Sequence, residues 1–471
     1  MKHTNEVLYE AMKEYVRAAI DFIARRVPAQ ASADAHGDPP DSGNPFFYAL
    51  LSSGGELAAL PEYRPCRDAL LADGKIAGQL DVMVGGSGGR SRSPTAERLM
   101  RELIDMGVRH GEHRFDAERF EREYALFEKA FYEDYILYDV IAPLENLLIK
   151  GSVELSDDLE ISPLTDEDID PYRTSKVKLD SFRGHGGLPC AVRSKFRVPK
   201  VVRRDDEREP GEVGSAERAD HYAKRQRGWK EDLEQQGRLN ERIEEVVNAL
   251  RLFGVESVFH VTILYRASRW FGHDSAFPNP VRGDTRLVYD EDEGWLRAFG
   301  QFWQGLKSDR IKQRGFIGLA TRRLGYAHER HRVEDKIIDL LIAAEALFLS
   351  DTGDEAYRGE LQYRMAQRAG FLLGTDAAGR LKVYRHMKEA YRLRSKVVHG
   401  GEARPRKREG GGDVSLEEFA ETTKVYVRLA LRRIIDRALD PGSSAEVVNW
   451  DRLIFGPDAD SNSEASGSKP D

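Results

Sequence analysis

A segment near the C-terminal end of the sequence places an arginine and a histidine five positions apart, as Arg394-Ser-Lys-Val-Val-His399-Gly. A histidine ring titrates near neutral pH, so it can accept or donate a proton in a reaction. An arginine carries a permanent charge in a planar fork that can stabilise developing negative charge. The chain also contains Arg323–His328 at the same spacing and Arg380–His386 one residue wider. Spacing alone therefore does not single out one pair.

The first pair lies in a predicted helix, Arg380–Gly400. At about 100° per residue, Arg394 falls on an apolar face, where an arginine is costly unless it is paired. Gly400 is a natural helix terminator. On an ideal helix, residues five apart point about 140° apart, so Arg394 and His399 converge only if the helix ends near Val398 or if each faces a different protomer. The apolar face is predicted to consist of Leu381, Tyr384, Met387, Tyr391 and Val398.

Two further helices precede this one. Val333–Leu349 is apolar all round from Ile337 onward except at Asp339 and Glu345, which predicts a helix buried on most sides. Glu345 then needs a cationic partner, and Arg394 is the candidate. The next helix, Glu360–Leu373, has one apolar stripe and stops at Gly374.

A helix is also predicted after the arginine–histidine pair. Ser415 stands three residues before Glu418, which is a capping-box pattern at a helix start. An apolar series then runs from Phe419 to Ile434. The pair therefore closes the third of four consecutive predicted helices.

Arg394-Ser-Lys-Val-Val-His399-Gly resembles the arginine–four residues–histidine signature of HEPN domains, in the form found in the Apea-like branch. Ala343–Phe348 (AAEALF) and the helix ELQYRMAQRAGFLL resemble that branch in the same order. The resemblance spans about 120 residues from Arg332 onward and implies a helical bundle over residues 306–455. It does not extend to the first 300 residues.

The resemblance implies a metal-independent endoribonuclease without a cofactor, working as a homodimer. Arg394 and His399 of two protomers would form the catalytic site, with Glu345 and Ser395 as supporting residues and Arg392 and Lys396 as RNA-binding residues. The ribose 2′-OH would attack its own phosphorus and expel the 5′-oxygen. The family's usual setting implies phage defence or abortive infection, with the N-terminal region sensing a phage or cellular trigger.

Two alternatives stay open at this point. Many active members have Asn, Asp or His directly after the arginine, where this chain has Ser395. The domain could therefore be a non-catalytic HEPN module that recruits RNA, a nucleotide or a protein, or a helical interaction protein with a coincidental motif. A zinc site at His328, His331 and Asp335 is disfavoured, because such residues in a charged segment are more often solvated.

Local charge differs from the charge of the whole chain, which is −8. Between Arg380 and Arg408 there are eleven cations and two acidic residues, a net charge of +9. Such a segment favours an anionic partner, although a solvated basic helix face and loop would have the same composition.

Composition and patterning bound the rest of the protein. Its two cysteines cannot form a disulfide framework, no long uncharged apolar run predicts a membrane span, and the first residues do not form a signal peptide. These features predict a cytoplasmic protein without a membrane partner.

The predicted fold is mainly α, with an α+β N-terminal region before the HEPN-type bundle. Residues 1–150 are predicted to be helical, with one long helix at Phe115–Leu148 and flexible inserts at Pro28–Pro45 and Gly85–Ser93. Residues 151–300 are predicted to form a small α+β region, with strands within Ser152–Val202 and at Val255–Tyr265. Residues 456–471 are predicted to be a disordered tail.

Overall fold

The structure is a computed structural model of the 471-residue chain. It describes residues 3–26, 54–86, 89–104, 106–108, 114–165, 168, 188–203, 215–260, 262–267, 270–271, 275–278, 288–351, 358–405, 413–440, 442 and 447–456. The predicted insert Pro28–Pro45 and the predicted tail, apart from Gly456, lie outside the described residues.

The chain divides into two compact units, each built from several stretches of sequence. The first unit comprises Met1–Ile141, Ser194–Leu239 and Leu264–Phe277. The second unit comprises Ala142–Arg193, Asn240–Ile263 and Pro278–Asp471. The described residues form 15 helices, so the mainly α prediction is confirmed.

The first unit begins with helix α1, whose N-cap Asn5 side chain accepts a hydrogen bond from the Leu8 backbone N–H. One face of α1 is fully buried and packs on α3 and α5. The elements up to residue 132 are α1 (Glu6–Ala24), α2 (Gly54–Leu57), α3 (Tyr63–Ala72), α4 (Gly74–Ala77), β1 (Met83–Gly86), β2 (Gly89–Arg92), α5 (Ala96–Ile104) and α6 (Ala117–Tyr132).

Two predictions for this region were wrong. The predicted flexible insert Gly85–Ser93 belongs to an antiparallel hairpin, in which Met83 pairs with Arg92 and Gly86 with Gly89. The predicted helix Phe115–Leu148 ends at Tyr132 and is followed by strand β3 (Tyr135–Ile149). The second half of β3 is buried on both faces, and a continuous apolar run of this kind does not distinguish a buried strand from a buried helix.

Strands account for much of the chain between residues 135 and 291. They are β3, β4 (Val153–Ser156), β5 (Leu159–Pro163), β6 (Leu188–Pro199), β7 (Val201–Arg203), β8 (Phe259–His260), β9 (Thr262–Ala267), β10 (Ser275–Pro278) and β11 (Tyr289–Glu291). Of the range Ser152–Val202, in which short strands were predicted, the described residues form β4, β5, β6 and β7, and residues 169–187 lie outside the described residues. The strand predicted at Val255–Tyr265 is present as β8 and β9, which both pair antiparallel with β3. One long helix, α7 (Ser215–Phe253), precedes β8.

The last part of the second unit is a group of helices with one central member. These are α8 (Glu293–Leu306), α9 (Asp309–Lys312), α10 (Gly315–Glu329), α11 (Val333–Leu349), α12 (Arg358–Leu373), α13 (Ala377–Val398), α14 (Leu416–Leu439) and α15 (Trp450–Phe455). Helix α11 packs against α10, α12, α13 and α14, which is why it lacks a polar face. The predicted helix Val333–Leu349 is confirmed with the same bounds, and Glu360–Leu373 begins two residues earlier as α12.

Candidate functional site

Helix α13 carries the arginine–histidine pair and has well-defined ends. It begins after Asp376, whose Oδ1 accepts a hydrogen bond from the Gly379 N–H at 2.7 Å. It ends with two backbone hydrogen bonds, from Gly401 N to Lys396 O and from Gly400 N to Val397 O. This is the Schellman pattern, and Gly400 has the positive φ of +73° that the pattern requires. His399 is therefore the residue at which the helix stops.

The buried face of α13 differs from the predicted one. The buried side chains are Val383, Met387, Ala390 and Leu393, so of the predicted stripe only Met387 is in the core. Leu381 is 45% exposed and Val398 is 55% exposed. The helix has apolar residues on two adjacent faces, and packing against α11 and α12 decides which of them is buried.

Arg394 follows Leu393 at the edge of the buried face, where it lies opposite Glu345 of α11. Its Nη2 is 4.0 Å from Glu345 Oε2, which is close enough for attraction but too far for a hydrogen bond. Both side chains are half-buried, and Arg394 Nε is buried without a hydrogen-bond partner in the structure. Burial raises the pKa of Glu345, and the charge of Arg394 opposes that rise only in part. Arg394 is therefore attracted to Glu345 but is not hydrogen-bonded to it.

His399 is exposed, and its backbone N–H donates to Ser395 O at 3.2 Å. The helix is regular through Val398, and His399 itself has φ −93° and ψ 14°, so the chain does not bend back toward Arg394. The two side chains keep the divergence of about 140° expected from helical geometry. One copy of the chain therefore directs Arg394 toward α11 and His399 toward solvent.

The other predicted site residues differ in availability. Arg392 donates from Nε to Glu389 Oε2 at 2.8 Å and from Nη2 to Arg404 O at 3.0 Å, so it is engaged in holding the segment after the helix. Lys396 is exposed at the end of α13. Ser395 is half-buried, and its backbone carbonyl accepts the His399 N–H. Lys396 is thus better placed than Arg392 to contact a phosphate.

In the competing pair, Arg323–His328, both side chains have structural roles. Arg323 Nη1 donates to Asp339 Oδ1 at 2.8 Å, and Arg330 Nε donates to Asp339 Oδ2 at 2.8 Å. The Nε2 atom of His328 is buried, and burial lowers the pKa of this imidazole well below its ordinary value. Neither residue of this pair is arranged for proton transfer at a surface.

In the pair Arg380–His386, the histidine is likewise held by neighbouring side chains. The His386 ring is stacked on Phe419 with a centroid distance of 4.1 Å, and its Nε2 is 2.9 Å from Thr423 Oγ1. Burial lowers the pKa of His386 to about 4. Of the three arginine–histidine pairs, only Arg394–His399 therefore combines a half-exposed arginine with an exposed histidine.

A buried polar cluster in the second unit was not predicted from the sequence. Arg251 of α7 is 4% exposed, donates to Val258 O at 3.1 Å and lies 3.7 Å from Glu329 at the end of α10. Glu244 of α7 contacts His260 of β8. Burial raises the pKa of Glu329. Burial also acts to raise the pKa of Glu244, but His260, Arg251 and Glu329 together outweigh it, so the pKa of Glu244 is lowered. The sequence feature that indicates this cluster is an arginine inside the apolar run Val246–Phe253. The cluster connects α7 to α10.

The described residues also bear on metal ligation and on membrane spanning. They contain no group of three or more His, Cys, Asp and Glu side chains arranged to hold a metal ion. No helix in this part of the chain is both long enough and apolar enough to cross a lipid bilayer.

Comparison with known proteins identified no relative of this chain. No protein-family model matches it. No curated protein and no solved structure shows significant similarity to it.

Proposed function

We propose that this protein is a metal-independent endoribonuclease whose active site forms when two copies bring together Arg394 and His399 in a HEPN-type dimer. The observation that carries the proposal is the state of the pair at the end of α13. His399 is exposed, and Arg394 is half-buried and makes no hydrogen bond to Glu345, whose Oε2 lies 4.0 Å from Arg394 Nη2. The proposal also rests on the motif and on the order of α11, α12, α13 and α14, which match the resemblance found in the sequence.

The divergence of the two side chains makes a second copy necessary. Within a single chain, Arg394 and His399 do not point at one phosphate. A two-fold axis near the end of α13 would place the two His399 side chains beside each other, and each beside the partner's Arg394. Such an isologous interface repeats the same surface on both subunits. The first unit would then sense a trigger or restrain the nuclease, as in a phage-defence system.

In the proposed reaction, one neutral His399 removes the proton from a ribose 2′-OH, and the oxygen attacks the adjacent phosphorus. The bond from phosphorus to the 5′-oxygen breaks, and a second, protonated His399 donates a proton to that oxygen. The products are a 2′,3′-cyclic phosphate and a 5′-hydroxyl end. Arg394 stabilises the charge on the phosphorane oxygens, with Lys396 near the backbone of the RNA.

The test is incubation of the full chain with single-stranded RNA in the presence of EDTA. Wild type is expected to cleave, to leave 2′,3′-cyclic phosphate ends, and to show a specific activity that rises with protein concentration as dimers form. His399→Ala and Arg394→Ala are each expected to lower the rate by about a hundredfold or more. His331→Ala, at another exposed histidine of the second unit, is the matched control and should retain wild-type activity.

A second candidate is a binding module without catalysis. It is favoured by the divergence of Arg394 and His399 within one chain and by the contact of Arg394 with Glu345, which could be purely structural. In that case wild type would bind RNA without cleaving it in EDTA, and His399→Ala would bind with unchanged affinity. That combination of results would exclude the nuclease.

A further inference from the structure

A groove of about 460 Å³ is lined by residues of α12 and α13. Three aromatic rings line it, those of Tyr363, Phe371 and Tyr384. Tyr363 is 51% exposed, so its ring is accessible at the surface. The two helices can approach closely at the groove because a Cβ on Gly370 would lie 2.9 Å from Arg380 O. The groove is therefore a built feature of the helix pair.

Cations accompany these rings. The Arg380 guanidinium lies 4.7 Å from the centroid of Phe371, and the Lys388 ammonium lies 4.4 Å from the centroid of Tyr363. Helix α13 as a whole carries seven cations and one acidic residue, a net charge of +6 with His386 neutral. Aromatic faces bind flat rings by stacking, and cations bind phosphates. Single-stranded nucleic acid is the polymer that presents both.

The groove and the proposed active site lie on one path along α13. At about 100° per residue, Arg380, Tyr384, Lys388, Ser395 and His399 all fall within a sector of about 100° on the helix surface. Tyr384 and His399 are separated by about 22 Å along the axis, at 1.5 Å per residue. That length corresponds to about six to seven nucleotides at the 3.4 Å spacing of stacked bases. A strand seated in the groove would thus reach His399 without leaving the helix.

We propose that this groove binds single-stranded RNA by stacking its bases on Tyr363 and Tyr384, and that it guides the strand along α13 toward His399. The inference deepens the proposed function, because it names the form of RNA and the surface that holds it. Binding in the groove nevertheless does not depend on catalysis. The two proposals can therefore fail independently.

The experiment measures binding in the full chain carrying His399→Ala, so that cleavage does not interfere. The probe is a fluorescein-labelled oligouridine of about twelve nucleotides, followed by fluorescence anisotropy in EDTA at low salt. Tyr363→Ala combined with Tyr384→Ala is expected to weaken binding by about tenfold or more. Tyr326→Ala is the matched control, because Tyr326 of α10 is also 45% exposed and has Arg323 5.8 Å from its ring. Its affinity should be unchanged.

A second variant separates a loss of binding from a loss of folding. Tyr384 is half-buried, so Tyr363→Ala alone, at the more exposed ring, should fold and should weaken binding by about fivefold. Lys388→Gln should weaken binding and lower its salt dependence. In His399→Ala protein with both tyrosines intact, a 4-thiouridine probe is expected to crosslink to peptides containing Tyr363 or Tyr384.

Two control ligands define what the groove recognises. A DNA strand of the same sequence should bind through the groove with similar affinity, since stacking does not require the 2′-OH, but only RNA should be cleaved. An RNA duplex should bind more weakly and should not respond to Tyr363→Ala.

Three results would overturn the groove proposal. The first is an unchanged oligouridine affinity in a folded Tyr363→Ala, Tyr384→Ala variant. The second is that these substitutions weaken the binding of an RNA duplex as much as that of oligouridine. The third is that they abolish a dimer in sedimentation, which would identify a second copy of the chain as the occupant of the groove. Binding that responds to the groove variants, in a wild-type protein that cleaves no RNA, would refute the nuclease and leave the groove proposal supported.

Discussion

At the scale of single residues, the polar groups inside the second unit show how a buried charge is held. Asp339 is 2% exposed, and two arginines donate to its two oxygens, Arg323 and Arg330 at 2.8 Å each. Each arginine keeps part of its guanidinium in solvent, so only the carboxylate is desolvated. Glu345, with its single cation at 4.0 Å, lacks this arrangement, and burial accordingly raises its pKa.

Burial of His386 makes the free energy of unfolding depend on pH. Thr423 Oγ1 donates its proton to Phe419 O, so it accepts from the N–H of a neutral His386. Burial lowers the pKa of His386 to about 4, with Glu389 opposing and Lys382 assisting the shift. Between pH 6.5 and 4 the unfolded chain binds a proton that the folded chain does not, so the free energy of unfolding falls as the pH is lowered. The loss is at most about 3 kcal/mol.

The variant His386→Phe keeps a ring stacked on Phe419 and removes the titration. In denaturant unfolding measured from pH 7 to pH 4, its free energy of unfolding should therefore depend less steeply on pH than that of wild type. Some slope remains, because burial also lowers the pKa of His328. Identical slopes in both proteins would show that His386 is not the group responsible.

At the scale of elements, the end of α13 determines where His399 points. Gly400 has φ +73°, and an alanine there would be strained by about 1–2 kcal/mol. Gly400→Ala is expected to lower the free energy of unfolding by that amount. It should also reduce the proposed RNA cleavage, because it distorts the helix end that positions His399. Gly401→Ala is the control, since its Cβ would lie 3.4 Å from Lys396 O. If the two variants are equally stable and equally active, the Schellman end does not position His399.

Helices with strong local signals were predictable, and packing choices were not. Val333–Leu349 was predictable because it is apolar all round, and the start of α14 because the Ser415 side chain accepts from the Glu418 N–H, as its capping box implies. The buried face of α13 was not predictable, because the helix has apolar residues on two adjacent faces and its neighbours select one. For the same reason the groove rings Tyr363 and Tyr384 were not recognised in the sequence as a surface feature.

At the scale of the whole molecule, the second unit combines sequence segments that are far apart. It includes Ala142–Arg193 and Asn240–Ile263 as well as the C-terminal helices. Contacts between the segments are specific: Trp303 Nε1 donates to Leu155 O at 3.0 Å, and Arg428 Nη2 lies 2.6 Å from Glu256. Local periodicity carries no information about such pairings, so the discontinuous composition of the unit could not be read from the sequence.

This composition predicts how fragments of the chain behave. Residues 306–455 alone contain the arginine–histidine pair and helices α9 to α15, but they lack the partners of Arg428 and Glu329, namely Glu256 and Arg251. The fragment should therefore melt at a lower temperature than residues 142–471, which retain the whole second unit, and its amides in α10 and α14 should exchange faster with solvent. Calorimetry and hydrogen exchange on the two fragments measure this. Equal melting temperatures would show that the C-terminal helices form an autonomous domain, and that the earlier segments of the second unit do not stabilise the end of α13.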